Sequence, residues 1–334
     1  MHRWAGLLAL ILCGCGRYDN FTLPAPPPSP GVAAWKWEPE PEPVIARGAA
    51  GQFDSVDALN PSIARFGGQF LNAYSGWDGK LWRTGLATSS DGRVWTKKGA
   101  FLQPGPAAWE GGYIAANGSL LAEGDTLSCW YQAGNPPQIG LARAAGPDRW
   151  EKLPTPVLTA GPRGAWDERG VADPYVLRAG GRYYMYFLGQ DRARRQRLGV
   201  AVSDDGVTWT KSLANPVLEI GPAGAFDELG LGEPAVWAQG GRWWMLYTAR
   251  DKKEWRRMGL AVSPDGIRWT RFGDGPIIPT GESWNSRVVC DAEVAPQPDG
   301  SVRVWFGGGD RPEPAENLHG QIGLGVLRPV AVAR

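Results

Sequence analysis

Apolar and aromatic positions along the chain fall into short blocks with a strand-like rhythm, broken by glycine, proline or small polar residues. Two blocks show the pattern most clearly: PYVLRAGGRYYMYFLG (Pro174 to Gly189) and PAVWAQGGRWWMLYTA (Pro234 to Ala249). In each, β-branched and aromatic residues flank a glycine pair, which is the composition of two strands joined by a tight turn. A second hairpin follows each block. A strand-like LGVAV or MGLAV leads into VSDDGVTWTK (Val202 to Lys211) or VSPDGIRWTR (Val262 to Arg271). The same unit stands at TSSDGRVWTK (Thr88 to Lys97) and, worn, at AAGPDRWEK ending at Lys152. Its tryptophans, Trp95, Trp150, Trp209 and Trp269, recur at roughly 55 to 60 residues, the scale of one propeller blade with its loops. Two hairpins per repeat and few long helical periods predict an all-β fold, a five-bladed β-propeller with four-stranded blades.

The last unit runs through VRVWFGGG (Val302 to Gly309) and QIGLGVL (Gln321 to Leu327), then lacks its tryptophan strand. WKWEPEPEPVI (Trp35 to Ile45) matches WTKSLANPVL of an internal repeat. The N-terminal strand is therefore predicted to complete the fifth blade and close the ring, leaving only short, protected edges. This sets a propeller over 35–330, preceded by a proline-rich tether over 16–34 and a targeting segment over 1–15. In that segment His2 and Arg3 precede an apolar run from Trp4 to Leu12, too short to span a bilayer. The run ends in Leu12-Cys13-Gly14-Cys15, which resembles a lipobox with Cys13 as a departure. Cys15 is the expected lipidation site. The protein is then expected outside the cytoplasm, touching a bacterial membrane only through its anchor.

Composition removes other classes. Lys plus Arg number 35 against 34 Asp plus Glu, a net charge of +1, so nothing favours nucleic acid or an anionic membrane surface. Cys129 and Cys290 lie in apolar strand-like segments and are expected to be buried free thiols. His2 and His319 form no ligand cluster, so no metal or cofactor is predicted, although a structural calcium in the funnel is compatible with the sequence. A monomer is expected.

A repeat protein carries its own control: a residue type kept in most copies is architecture, and a position that has diverged into different polar groups marks function. Asp54, Glu110, Asp167 and Asp227 are kept near blade openings and read as loop caps. The position before the recurring proline diverges: Asn60, Ala116 or Asn117, Asp173, Glu233 and Asp291. These begin the innermost strands, so their side chains are expected to converge on the ring axis. Carboxylates crowded there shift one another's pKa, which lets one act as an acid while another stays ionised. Loops on the same face carry further candidates for holding a hydroxyl-rich ligand: Trp77, Arg169, Arg192, Arg250, Trp255, Arg287 and His319. Solvated surface charge is the commoner explanation for any single one of them.

These residues resemble the five-bladed propeller glycosidases, the grouping of glycoside hydrolase families 32, 43, 62 and 68 with the mannoside phosphorylases of family 130. The resemblance spans roughly Trp35 to Pro329 and rests on VADP around Asp173, GEP around Glu233 and the SDDGVTW-type hairpins. It implies a carbohydrate substrate, Glu233 as general acid and Asp173 as the acid that tunes it. In those enzymes the first blade supplies an aspartate base or nucleophile, whereas LNPSI here puts Asn60 at that place. Asp57, Asp291 or an external nucleophile such as phosphate are the available replacements. The alternative is a non-catalytic glycan-binding lipoprotein that has lost hydrolysis.

Overall fold

The glycine pairs turn the chain as expected. Gly180 and Gly181 have φ of 55° and 81°, and Gly240 and Gly241 63° and 68°, left-handed values that favour glycine and fit a two-residue hairpin. In the computed structural model, which describes residues 17–331, such hairpins assemble into five antiparallel four-stranded units. Blade 1 comprises Asp57–Phe66, Gln69–Trp77, Trp82–Ser89 and Thr96–Leu102. Blade 2 comprises Ile114–Glu123, Thr126–Ala133, Gln138–Ala144 and Glu151–Lys152. Blade 3 comprises Val171–Ala179, Arg182–Gln190, Gln196–Ser203 and Thr210–Ser212. Blade 4 comprises Gly230–Gln239, Arg242–Arg250, Arg256–Ser263 and Thr270–Arg271. Blade 5 takes Val288–Pro296, Val302–Gly309 and Gln321–Ala331, and its outer strand is Val32–Pro39 from the N-terminal side. The pairing of Trp35 with Pro329 and Trp37 with Leu327 is the predicted closure. Each inner strand packs on the next, and the fifth packs back on the first, so the ring is complete.

Apolar side chains fill the spaces between blades in several clusters. The Ser-x-Asp-Gly turns clasp neighbouring blades. In blade 3 Ser203 Oγ accepts from Gly206 N at 2.9 Å and Asp205 Oδ1 accepts from Thr208 N at 2.7 Å, which fixes the turn. The freed Gly206 carbonyl accepts the indole N–H of Trp130 in blade 2 at 2.8 Å. Trp305 of blade 5 makes the equivalent bond to Gly92 of blade 1 at 2.7 Å. These turns are scaffold.

Two expectations change. Asp54, Glu110 and Asp227 do more than cap loops. Each carboxylate meets the tyrosine hydroxyl of its blade's second strand (Tyr74, Tyr131 and Tyr247) and the basic residue of its outer strand (Lys97, Lys152 and Arg271). Asp167 pairs with Lys211 in the same way, and both are buried. Burying an acid demands a partner, and the basic residue of the W-T-K/R strand supplies it. Second, residues 17–34 do not stand away as a tether. Arg17–Asp19 pairs in parallel with Thr210–Ser212. Leu23 is buried and its N–H reaches Asp265 O at 2.9 Å, and Trp243 Nε1 donates to Pro24 O at 3.1 Å. Apolar Leu23 and Phe21 find cover among the blade turns, and the Pro24 carbonyl satisfies the Trp243 indole there. The segment thus crosses the turns opposite the funnel from blade 3 to blade 5. The lipidation site Cys15 and the segment 1–15 lie outside the described residues.

Candidate active site

Every inner strand carries a register shift near its start, and one residue in each shift adopts a left-handed backbone. These are Asn60, Asn117, Asp173, Glu233 and Asp291, with φ between 46° and 57°. Five non-glycine residues in that region carry strain, which persists because the fold repeats and over-determines it. The bulge turns each side chain out of the ladder and toward the axis. The second-blade member is Asn117 rather than Ala116.

The five residues form the floor of a funnel of about 500 Å³. Its walls are Trp82 of blade 1, Tyr113 and Gln132 around blade 2, Gln190 and Gln196 of blade 3, Thr248, Arg250 and Arg256 of blade 4, and Glu316 from the long loop of blade 5. Asp173 Oδ1 accepts from Asn117 Nδ2 at 3.1 Å. Burial, joined by the charge of Glu233, pushes Asp173 up to about 7, while the Asn117 bond pulls the other way. Asp291 Oδ2 accepts from Asn60 N and from Cys290 Sγ, both at 3.1 Å. Burial, then the charge of Glu233 and a hydrogen bond to it, holds the Asp291 carboxyl well above the carboxylate range. Glu233 Oε2 is buried without a hydrogen-bond partner. The buried guanidinium of Arg256 lies near Glu233, Asp291 and Glu254, and its Nη2 donates to the Glu313 and Pro314 carbonyls at 3.0 and 2.9 Å. Beneath the ring, Glu293 accepts from Ser62 Oγ at 3.0 Å and Ile63 N at 3.2 Å, and burial pushes it up to about 7.

Two raised carboxyls, Asp173 and Asp291, stand on one floor with Glu233, so protons taken up there belong to the group as a unit. Ligand atoms of Glu233, Cys290 and Asp291 also lie within 4.8 Å of one another. A thiol bonded to a carboxylate, with Arg256 nearby as counter-charge, does not suit calcium, which takes a shell of oxygen ligands.

The remaining predicted residues are held elsewhere. Asp57 is buried and cannot swing inward, because Oδ1 accepts from Gly320 N and Oδ2 from Asn317 N, both at 2.7 Å. Trp77 stacks on Trp82, ring centroids 6.1 Å apart, and it is Trp82 that reaches the cavity. Arg169 is exposed, and Arg192 is exposed and paired with Glu168 at 3.0 Å. Trp255 lies under the Arg287 guanidinium at 4.5 Å, and His319 Nδ1 meets Asp310 Oδ1 at 2.8 Å. None of these seven lines the funnel. The residues missed include a set at the third-strand starts. The position three before the glycine of the GLA-type segment reads Trp82, Pro137, Gln196 and Arg256, a divergence as plain as that of the inner strands, and all four line the cavity.

Comparison with known proteins agrees with this geometry. The model of the family described as "Glycosyl hydrolases family 32 N-terminal domain" matches residues 69–275. An uncharacterized protein of Mycobacterium tuberculosis, Rv1502, is 27% identical over 235 residues, covering 66% of this chain and 75% of that protein. Among solved structures, a β-1,2-mannobiose phosphorylase from Listeria innocua superposes with a TM-score of 0.67 at 14% identity, covering 88% of this chain and 96% of its own. A family 117 glycoside hydrolase of Zobellia galactanivorans gives 0.61 at 16% identity, covering 88% and 90%. The chain belongs to the glycosyl hydrolase family 32 N-terminal domain family, within the propeller glycosidase-like superfamily.

Proposed function

We propose that this protein is a glycosidase that cleaves its carbohydrate substrate at the floor of the funnel, with Glu233 as proton donor and Asp173 as the acid that tunes it. The observation that carries the reading is the ring of strained bulges, which brings Asp173, Glu233 and Asp291 together in a chain of a glycosyl hydrolase family. In this reading Glu233 passes a proton to the leaving glycosidic oxygen, and the Asp291 carboxyl beside it is raised by burial and by the charge of Glu233. Neighbouring Asp173, protonated in the same pH range, keeps negative charge from accumulating on the floor. Arg256 offsets the charge left behind, so the chemistry of these residues calls on no cation. Trp82 offers an aromatic wall, and Gln132, Gln190 and Gln196 offer amide donors and acceptors for sugar hydroxyls.

Asn60 favours one second reading, a glycan-binding protein without turnover, since an amide neither accepts the proton of water nor attacks an anomeric carbon. Sugar release from an aryl-glycoside and oligosaccharide panel, with and without phosphate, separates the two. Release by the wild type that Glu233→Gln abolishes supports the glycosidase, and dependence on phosphate identifies the nucleophile. Binding without release by either protein supports the second reading.

A further inference from the structure

The funnel holds five carboxylates, those of Glu110, Asp173, Glu233, Asp291 and Glu316. Four have occupations. Glu110 is paired with Lys152 and bonded to Tyr131. Asp173, Glu233 and Asp291 form the floor, with Asp173 and Asp291 raised by burial and by the charge of Glu233. Glu316 is the fifth, and it lies outside the floor, on the blade 5 loop between Gly309 and Gln321.

That loop leans over blade 1, the blade whose floor residue is Asn60. Asp57 at the start of blade 1 holds the Asn317 and Gly320 amides, and Ala58 N donates to Gly320 O at 2.9 Å. Gly320 must be glycine there, since a Cβ would meet Leu59 Cγ at 2.5 Å. Leu318 is buried in the cluster beside Leu59 and Trp82. On the other side of Glu316, Arg256 grips the Glu313 and Pro314 carbonyls. Glu316 is thus fixed from both flanks, and it lines the funnel beside Tyr113, which stands where blades 1 and 2 meet as Trp82 N donates to Tyr113 O at 3.0 Å. Burial and the Glu316 carboxylate push the Tyr113 hydroxyl up to about 12, so at neutral pH it stays neutral beside that carboxylate.

We propose that Glu316 is the general base of this site, supplying from the blade 5 loop the carboxylate that blade 1 lacks. The proposal rests on the glycosidase reading above. Water donates a proton to Glu316 as its oxygen bonds to the anomeric carbon, the glycosidic C–O bond breaks, and the leaving oxygen takes its proton from Glu233. Water attacking opposite the leaving group gives a product of inverted anomeric configuration.

The test uses the full described chain and aryl glycosides that the wild type cleaves. Glu316→Gln is expected to lower kcat by about 10²–10⁴-fold with little change in KM and to remove the acidic limb of the pH profile. Glu316→Ala is expected to recover turnover when azide or formate is added. Product from the wild type, followed by NMR at early times, is expected to be inverted. Glu316→Gln with wild-type kcat and an unchanged acidic limb overturns the proposal while leaving the glycosidase reading intact, as does retention of configuration. A wild type inert on every glycoside overturns both, and the inertness of the unmutated protein distinguishes that case. An unchanged melting temperature in Glu316→Gln separates lost chemistry from lost folding.

Discussion

At the scale of single residues, the floor of the funnel shows why divergence within a repeat is informative. Asn60, Asp173, Glu233 and Asp291 could be found from sequence because strand starts sharing one backbone conformation differ only in what they present to the axis. Trp77 and Trp255 misled for a related reason: non-repetition says that a residue is not scaffold common to all blades, but not that it faces a ligand. Trp77 is covered by a neighbour within its blade, and Trp255 by Arg287. The floor also sets the pH dependence. A reaction needing protons on these carboxyls is lost as pH rises through about 7, where Asp173 ionises. Asn117 stabilises the ionised form, so Asn117→Ala raises the Asp173 pKa and should move the basic limb of kcat/KM to higher pH. A limb unmoved or displaced to lower pH would show that Asp173 does not govern it.

At the scale of the strand and hairpin, the repeat made most of the fold legible. The glycine pairs, the Ser-x-Asp-Gly turns and the tryptophan strands each report local geometry that does not depend on distant contacts. What stayed hidden was the pairing of Asp54, Glu110, Asp167 and Asp227 with basic residues some forty positions later, because strand order alone does not say which side chains share an interior. Lys211 and Asp167 form the most deeply buried of these pairs, 4% and 0% exposed. Removing one member of such a pair strands the other's charge, so Lys211→Met should cost about 3–5 kcal/mol in urea unfolding. A loss below about 1 kcal/mol would mean that Asp167 is satisfied without it.

For the whole molecule, ring closure is the unifying constraint. Trp35 on the closing strand meets Trp237 and Trp244 edge-on at 5.8 and 5.5 Å, tying the N-terminal segment to blade 4 as well as blade 5. Trp35→Ala should destabilise by about 3–5 kcal/mol, read as a lower urea midpoint. If the midpoint holds, the closing strand contributes little to the ring. The sequence disclosed this closure because the missing strand of the last repeat could be matched at the other end. It did not disclose the path of residues 17–34, since a proline-rich stretch reads alike whether it is free or laid across a surface. Closure also carries the site: the same ring that removes sheet edges brings five strand starts from distant parts of the chain to one floor.

That convergence makes Glu233 the most exacting place to test the function. The decisive measurement is the turnover of a cleaved glycoside by wild type and Glu233→Gln, at neutral pH and with melting temperatures matched. The account predicts a loss of about 10²–10⁴-fold in kcat in a protein that stays folded. Full turnover in Glu233→Gln would contradict it and move the chemistry away from the funnel floor.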